Sequence, residues 1–161
     1  MIKSIKLISG GQTGADRAAI DLAIALGIDF GGAIPKGRKT EEGPLDYKYD
    51  WMAELETSSY AARTEKNVLD ADATLVFTLG ITGPGTAMTL KTAKSHRKPC
   101  LHIDLAHRSD DEATERVREW LESIKPKVLN VAGSRESQAK GIYSRVYDIL
   151  LGIIGKEQLS G

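Results

Sequence analysis

The sequence has little of several features that mark specialised proteins. Cys100 is the only cysteine, which excludes an internal disulfide framework and a CxxC metal or redox pair. No apolar run approaches the ~18 residues that a membrane-spanning helix needs, and the N-terminal residues lack the apolar core and cleavage site of a signal peptide. We therefore predict a cytoplasmic protein that makes no membrane contact.

An excess of charge of one sign is also missing, because 22 basic and 22 acidic residues give a formal net charge of zero. Nucleic acids bind basic surfaces, so we expect no nucleic-acid partner. The 3 histidines lack the spacing of metal ligands, and we expect no metal held by the protein itself. The length favours one domain over residues 1–161.

What the sequence does contain is an alternation of short apolar runs with helical patterns. Helical periodicity begins at Ala15, Tyr60, Pro84, Asp110 and Ile142. A long polar stretch, residues 36–58, has little periodicity and is predicted to be a loop, of the kind that often carries function. Five apolar runs predict buried strands: residues 5–9, 31–35, 73–80, 99–105 and 127–133.

Strands that alternate with helices predict an α/β fold, with a doubly wound, mainly parallel sheet and helices on both faces. For five strands we predict the spatial order 2-1-3-4-5, which makes the first and third strands neighbours. Ligands bind to such sheets outside the carboxyl ends of the strands, at the point where the winding direction reverses. The expected site therefore lies between the loops that follow the first and third strands.

Both of those loops are rich in glycine. "GGQTG" (residues 10–14) matches neither a Walker A loop nor a dinucleotide fingerprint, yet its glycines would let backbone amides approach an anion at a helix N-terminus. "TGPGT" (residues 82–86) would form the facing wall. The alternative for the first loop is a tight turn in which Thr13 caps the helix and Asp16 completes a capping box.

Further polar side chains near the same edge are candidate ligand contacts. Arg63 and Asn67 are four residues apart on one helix face. Arg17 would either reach a phosphate or pair with Asp21, and Arg135 could equally form a surface pair with a neighbour. The full set of candidate cofactor-binding residues is Gly10, Gly11, Gln12, Thr13, Gly14, Arg17, Lys36, Arg63, Asn67, Gly80, Thr82, Gly83, Gly85, Thr86, Asn130 and Arg135.

Six blocks, in order along nearly the whole chain, resemble the putative molybdenum carrier proteins. These proteins are Rossmann-like relatives of the lysine-decarboxylase-like, cytokinin-activating group. The resemblance implies a Rossmann-like domain, usually a homo-oligomer (dimer or tetramer), that binds molybdenum cofactor or a similar phosphorylated, nucleotide-like ligand. The metal would arrive with the cofactor. The blocks are "ISGGQTGADRAAIDLAIALGI", "GGAIPKGRKTEEGP", "RTEKNVLDADATLVF", "TGPGTAMT", "KPCLHIDL" and "LNVAGSRES".

One departure from the hydrolytic relatives bears on catalysis. They carry PGGxGTxxE, and Thr89 occupies the position of that glutamate, where a threonine cannot serve as a carboxylate acid or base. The sequence therefore favours a carrier over an enzyme. Two alternatives remain: a nucleotide N-glycosidase or phosphoribohydrolase in which Asp16 or Glu136 supplies the acid, and a sensor domain for nucleotide-derived signals that acts through a partner protein.

For the homo-oligomer, two apolar surfaces are expected to meet a second copy. One is the flank of the first helix that carries Ile20 and Ile24, and the other is the largely apolar last helix.

Overall fold

The structure is a computed structural model that describes residues 4–155. All five predicted helices and four of the five predicted strands are present, and the fifth, residues 31–35, divides between two short strands. In chain order the elements are β1 (Lys6–Ile8), α1 (Ala15–Leu26), β2 (Phe30–Gly31), β3 (Ala33–Ile34), β4 (Lys39–Thr40), β5 (Gly43–Pro44), β6 (Ala53–Glu54), α2 (Tyr60–Asp70), β7 (Ala73–Thr78), α3 (Pro84–Ser95), β8 (Cys100–Asp104), α4 (Asp110–Ile124), β9 (Val128–Gly133), α5 (Ile142–Leu150) and a π-helical turn (Leu151–Gly155).

The central sheet is parallel, as predicted, but the predicted order of its strands is wrong. The order is β2-β1-β9-β7-β8, so the last strand lies between the first and third strands rather than at the edge. Leu129 and Val131 of β9 are fully buried, which suits a central strand. Counted from β9 and continued through β1, the order becomes 3-2-1-4-5, the order of a doubly wound Rossmann sheet.

The helices form two groups that cover the sheet, in agreement with the predicted layers. On one side α1 and α4 each pack against α5, and on the other α2 packs against α3. The main core lies between the sheet and the first group, where Leu7, Phe77 and Leu121 are inaccessible to solvent. Burial of this apolar surface is the main stabilising contribution to the fold.

The helix ends agree only in part with the sequence patterns. Ser109 and Glu112 form a Ser-x-x-Glu capping pattern, and the Ser109 hydroxyl accepts a hydrogen bond from the Glu112 backbone amide (3.1 Å) at the start of α4. The capping box at α1 is wrong, because Gly14 is the N-cap residue and no side chain caps it. Thr13 and Asp16 instead bind other parts of the chain, as described below.

The polar stretch after the second strand is more structured than predicted. The run at residues 31–35 splits, so that β2 joins the main sheet while β3 pairs with β6, and β4 pairs with β5 in a hairpin. Buried Arg38 holds this segment together through hydrogen bonds to the carbonyls of Leu45 (2.9 Å), Asp46 (3.0 Å) and Tyr49 (3.0 Å). Strands of two residues are too short to produce a periodic pattern.

This segment also covers the flank of α1 that was expected to face a second copy. Ile20 is 1% exposed and packs in a small second core, so it is not available to a partner. Ile24 stays exposed at 44%. The other members of this second core are Ile34, Leu45, Tyr49 and Met52.

Within residues 4–155, no helix combines the length and the apolar character that crossing a membrane requires.

Candidate functional site

A cavity of about 280 Å³ lies at the carboxyl ends of the central strands. Residues of both glycine loops line it, namely Gln12 of the first and Gly83 to Thr86 of the second. Because β9 lies between β1 and β7, the loop that follows β9 supplies a further wall that the predicted strand order did not anticipate. The lining residues are Gln12, Asp16, Tyr60, Arg63, Thr64, Gly83, Pro84, Gly85, Thr86, Thr89, Ala132, Gly133, Arg135 and Gln138.

An ion pair forms part of the cavity wall. The Arg63 Nη1 atom lies 3.1 Å from the Asp16 Oδ2 atom, and both side chains are largely buried. The same Oδ2 atom accepts a hydrogen bond from the backbone amide of Gln12. Burial raises the pKa of the Asp16 carboxyl above its ordinary value, although the positive charge of Arg63 and the Gln12 hydrogen bond act in the opposite direction.

The side chain of Gln12 is buried and held in one orientation. Its Oε1 atom accepts hydrogen bonds from the amides of Thr13 (3.1 Å) and Glu41 (2.9 Å), so the Nε2 group is the free end. Neither Gln12 Nε2 nor Arg63 Nε has a hydrogen-bond partner within residues 4–155. Two buried donors without acceptors are costly, unless a bound molecule supplies the acceptors.

The N-terminus of α3 forms another part of the wall. Pro84 occupies the first helical turn, and Gly83 caps the helix without a side-chain hydrogen bond. The amides of Gly85 and Thr86 have no acceptor among the described residues, whereas the next amide in the chain bonds to the Gly83 carbonyl. Free amides and the helix dipole together favour an anion at this position.

Cations surround the ring of Tyr60 at the same cavity. The Lys39 Nζ atom lies 4.1 Å from the ring centroid, and the guanidinium carbons of Arg135 and Arg63 lie 5.0 Å and 5.4 Å from it. The aromatic face holds these groups by cation–π attraction. The cavity therefore combines several positive charges with one buried carboxylate.

The tip of the β4–β5 hairpin contacts both the first glycine loop and the loop that follows β9, beside the cavity. The carboxylate of Glu41 accepts hydrogen bonds from the hydroxyls of Thr13 and Ser137 and from the Ser137 amide. Burial raises the pKa of Glu41, but the hydrogen bonds from Ser137 and Thr13 outweigh this effect and hold the pKa below its ordinary value. Glu41 thus fixes the first glycine loop against the loop that follows β9.

Close backbone packing explains two of the glycines in these loops. Gly14 has φ of 78°, and a Cβ atom there would lie 2.3 Å from the Ser134 carbonyl oxygen. Gly133 has φ of 151°, and a Cβ atom would lie 2.0 Å from the Phe77 carbonyl oxygen. Only glycine satisfies both the conformation and the available space.

Ten of the sixteen predicted residues line the cavity or belong to the first glycine loop (residues 10–14). The six that line the cavity are Gln12, Arg63, Gly83, Gly85, Thr86 and Arg135. The other four support the first loop. Gly10 packs under the Arg63 side chain, Gly11 accepts a hydrogen bond from Arg17, Thr13 binds Glu41, and Gly14 begins α1.

Two of the six remaining predicted residues, Arg17 and Asn67, make other contacts. Arg17 donates to the Gly11 carbonyl (3.1 Å) and lies over the Tyr49 ring, away from the cavity lining. It does not pair with Asp21, whose carboxylate accepts hydrogen bonds from two tyrosines. Asn67 is 2% exposed and binds the amide and carbonyl of Ala33 at 2.7 Å and 3.0 Å.

The other four also lie outside the cavity lining. Asn130 is buried within β9 and donates to the Thr74 hydroxyl (3.3 Å), while the Gly80 amide donates to the Asp104 carboxylate (2.8 Å). Thr82 is exposed. Lys36 is exposed and lines a separate surface depression next to Glu54, so it is not an anion contact of the cavity.

Sequence reasoning missed Tyr60, Lys39, Glu41 and Gln138 as parts of this site. Tyr60 precedes Arg63 by three residues on α2, a spacing that places both on one helix face and could have been noticed. Lys39 and Glu41 belong to the hairpin inside the stretch that was predicted to be a loop, so no pattern indicated them.

The structure also separates the two acids considered for catalysis. Glu136 accepts hydrogen bonds from the amides of Gly141 (2.7 Å) and Tyr143 (3.0 Å), and it does not line the cavity. Asp16 does line it, as does Thr89, whose hydroxyl donates to the Gly85 carbonyl at 3.1 Å. Asp16 is therefore the carboxylate available to a bound molecule.

Comparisons with known proteins agree with the fold. A crystal structure of a protein described as "Putative molybdenum carrier protein" from Syntrophus aciditrophicus SB is 47% identical, with a TM-score of 0.88 over 91% of this chain and 93% of that chain. No functionally curated protein matches the chain. The sequence pattern of the family described as "Circularly permutated YpsA SLOG family" matches residues 7–154, and a permuted order is what the central sheet displays. The chain belongs to the circularly permutated YpsA SLOG family.

Proposed function

We propose that this protein is a molybdenum carrier that binds molybdenum cofactor, or a similar phosphorylated, nucleotide-like ligand, in the cavity between the two glycine loops. The observation that carries the proposal is the pair of buried donors, Gln12 Nε2 and Arg63 Nε, which lack acceptors within residues 4–155. The name of the similar crystal structure supports a molybdenum-related ligand.

The residues present fit the phosphate of such a ligand. The amides of Gly85 and Thr86 at the start of α3 would hold the phosphate oxygens, and Arg135 would supply the charge. Gln12 would donate from the opposite wall. Molybdenum would enter as part of the cargo, bound through its organic component.

Calorimetric titration tests the proposal. Wild-type protein is titrated with purified molybdenum cofactor, GMP and AMP, next to Arg135→Gln and Arg116→Gln. Arg116 lies on α4, away from the cavity, so its variant controls for the loss of one positive charge. We expect saturable binding of at least one ligand, weakened roughly tenfold or more by Arg135→Gln because a charged hydrogen bond is lost, and unchanged in Arg116→Gln. Absence of binding below millimolar concentration would contradict the proposal.

One observation favours a second candidate, hydrolysis of the N-glycosidic bond of a nucleotide. Asp16 is a buried carboxylate in the cavity, and burial raises its pKa toward the range of a general acid. The test is release of free base from nucleoside monophosphates. If the base is released by wild-type protein and not by Asp16→Asn, the protein is an enzyme rather than a carrier.

We also propose that the protein is a homo-oligomer, since Ile24 and Leu151 leave apolar surface exposed. Light scattering at micromolar concentration checks this state, and a clean monomer would contradict it.

A further inference from the structure

The cavity wall holds one acceptor that the chain itself leaves unused. The Oδ2 atom of Asp16 accepts hydrogen bonds from the Arg63 side chain and from the backbone amide of Gln12. Its Oδ1 atom accepts no hydrogen bond from any residue in 4–155. This atom is also not enclosed like the buried polar atoms that lack a partner, so it remains accessible. Because Asp16 lines the cavity, this oxygen is placed to meet a bound molecule.

A free carboxylate oxygen is an unusual feature of an anion site. Molybdate at neutral pH presents negatively charged oxygens on every side and has no hydrogen to donate, so Asp16 repels it without any compensating hydrogen bond in so small a cavity. The phosphate of a larger ligand meets the same charge, but its organic part can offset the repulsion by donating a hydrogen bond to the Oδ1 atom. Arg63 offsets part of this repulsion, but its Nη1 atom is already occupied by Asp16. The wall thus disfavours a bare oxyanion.

The same oxygen favours a ligand that carries an N–H or O–H donor. Gln12 Nε2, whose orientation is fixed by the contacts of Oε1, offers a donor four residues before Asp16. Gln12 and Asp16 both line the cavity, so they offer it a donor and an acceptor, which complement the edge of a base or pterin, or a sugar hydroxyl. At the α3 end, the free backbone amides of Gly85 and Thr86 would donate hydrogen bonds to the phosphate.

We infer that Asp16 is a specificity-determining residue that disfavours a bare oxyanion such as molybdate and selects organic phosphates whose N–H or O–H group meets its Oδ1 atom. This inference rests on the proposed function, because it requires that phosphate-bearing ligands occupy the cavity. It adds that the cargo is recognised through its organic part, so molybdate alone is not a ligand.

The experiment compares the binding of GMP, ribose 5-phosphate, inorganic phosphate and molybdate by the wild-type chain, Asp16→Asn and Asp29→Asn. The asparagine at 16 replaces the carboxylate with an amide that can donate to an oxyanion. Asp29 is exposed and directly precedes β2, so it lies at the amino ends of the strands, whereas the cavity lies at their carboxyl ends. Asp29→Asn therefore controls for the change in charge.

We expect wild-type protein to bind GMP at least tenfold more tightly than molybdate. In Asp16→Asn this ratio falls at least tenfold, because GMP binds less tightly and molybdate binds more tightly, while Asp29→Asn keeps the wild-type ratio. An unchanged ratio in Asp16→Asn overturns the inference and leaves the proposed function intact. Failure of wild-type protein to bind any phosphate-bearing probe overturns both.

A second measurement covers the case in which Asp16→Asn does not fold, as judged by thermal unfolding. Wild-type protein is titrated with ribose 5-phosphate and with methyl phosphate, which carries a comparable charge without the sugar hydroxyls. The inference expects ribose 5-phosphate to bind at least tenfold more tightly. Equal affinity would overturn it.

Discussion

At the scale of single residues, helix spacing identified a face but not what that face contacts. Arg63 and Asn67 share a face of α2, and the sequence predicted a ligand role for both. Arg63 reaches the cavity, whereas Asn67 contacts the backbone of Ala33 in place of a strand neighbour. The partner of a side chain depends on the neighbouring element, which periodicity does not specify.

For Asn67 we therefore predict a loss of stability rather than of binding. Asn67→Ala leaves the buried amide and carbonyl of Ala33 without partners, which should lower the free energy of unfolding by roughly 2–4 kcal/mol. Urea denaturation measures this change, and ligand affinity of the folded fraction should equal that of wild type. Reduced affinity with unchanged stability would restore the ligand role.

Gly10 offers a way to displace Arg63 without mutating it. A Cβ atom at this position would lie 1.7 Å from Arg63 Nη1 and 2.6 Å from its Cζ atom. Gly10→Ala should therefore drive the guanidinium away from Asp16, lower the free energy of unfolding by roughly 3 kcal/mol, and weaken ligand binding roughly tenfold or more.

Chemical denaturation and calorimetry measure the two effects of Gly10→Ala. Gly152→Ala is the matched control, because a Cβ atom there makes only an ordinary contact, 3.7 Å from the Thr114 methyl group. Wild-type affinity in Gly10→Ala would show that Arg63 does not contribute to the site.

At the scale of elements, the sequence patterns located the five strands of the main sheet but not the β4–β5 hairpin. Long apolar strands such as β7 are defined by their own residues. The hairpin has strands of two residues, and contacts distant in sequence hold it, namely those of Glu41 with Thr13 and Ser137. The contributions of Lys39 and Glu41 to the site were invisible to local patterns for this reason.

The contacts of Glu41 predict a specific pH dependence. Its pKa is lower in the folded protein than in the unfolded chain, so its contribution to stability is complete above the ordinary glutamate value of about 4.3 and is lost as the pH falls through the lower, folded value. Wild-type protein should exceed Glu41→Gln in stability at pH 7, and the difference should shrink toward zero in acid.

Urea midpoints at pH 7 and at about pH 3 provide the measurement. Glu42→Gln is the control, because its exposed side chain is the neighbour of Glu41 in the same turn. A difference between wild type and Glu41→Gln that is the same at both pH values would refute the contribution of the ionised carboxylate.

At the scale of the whole molecule, the α/β class, the parallel sheet and the two helical layers followed from the alternation of strands and helices. The strand order did not, because the alternation leaves open which strands are neighbours. Because β9 is the central strand, the loop that follows it lies at the site, and Arg135 and Gln138 of this loop line the cavity.

The permuted order predicts that the chain can be opened at a different point. A variant that begins at Lys127, with the present termini joined by a flexible linker, would run β9, α5, β1 and onward in the unpermuted Rossmann order. Lys125 and Lys127 are exposed, so the new ends fall at the surface.

We expect this permutant to unfold cooperatively and to keep the ligand affinity of the original chain, as measured by circular dichroism and calorimetry. Cooperative folding without ligand binding would show that the cavity depends on the present connection between α4 and β9.

The central claim is that a phosphorylated ligand binds in the cavity at the start of α3, and a crystal structure of the protein with its tightest-binding ligand from the titrations tests it most directly. We predict that the phosphate lies within hydrogen-bonding distance of the Gly85 and Thr86 amides, with the organic part against Gln12 and Asp16. A ligand bound elsewhere on the molecule, or one whose phosphate does not contact the start of α3, would contradict the account.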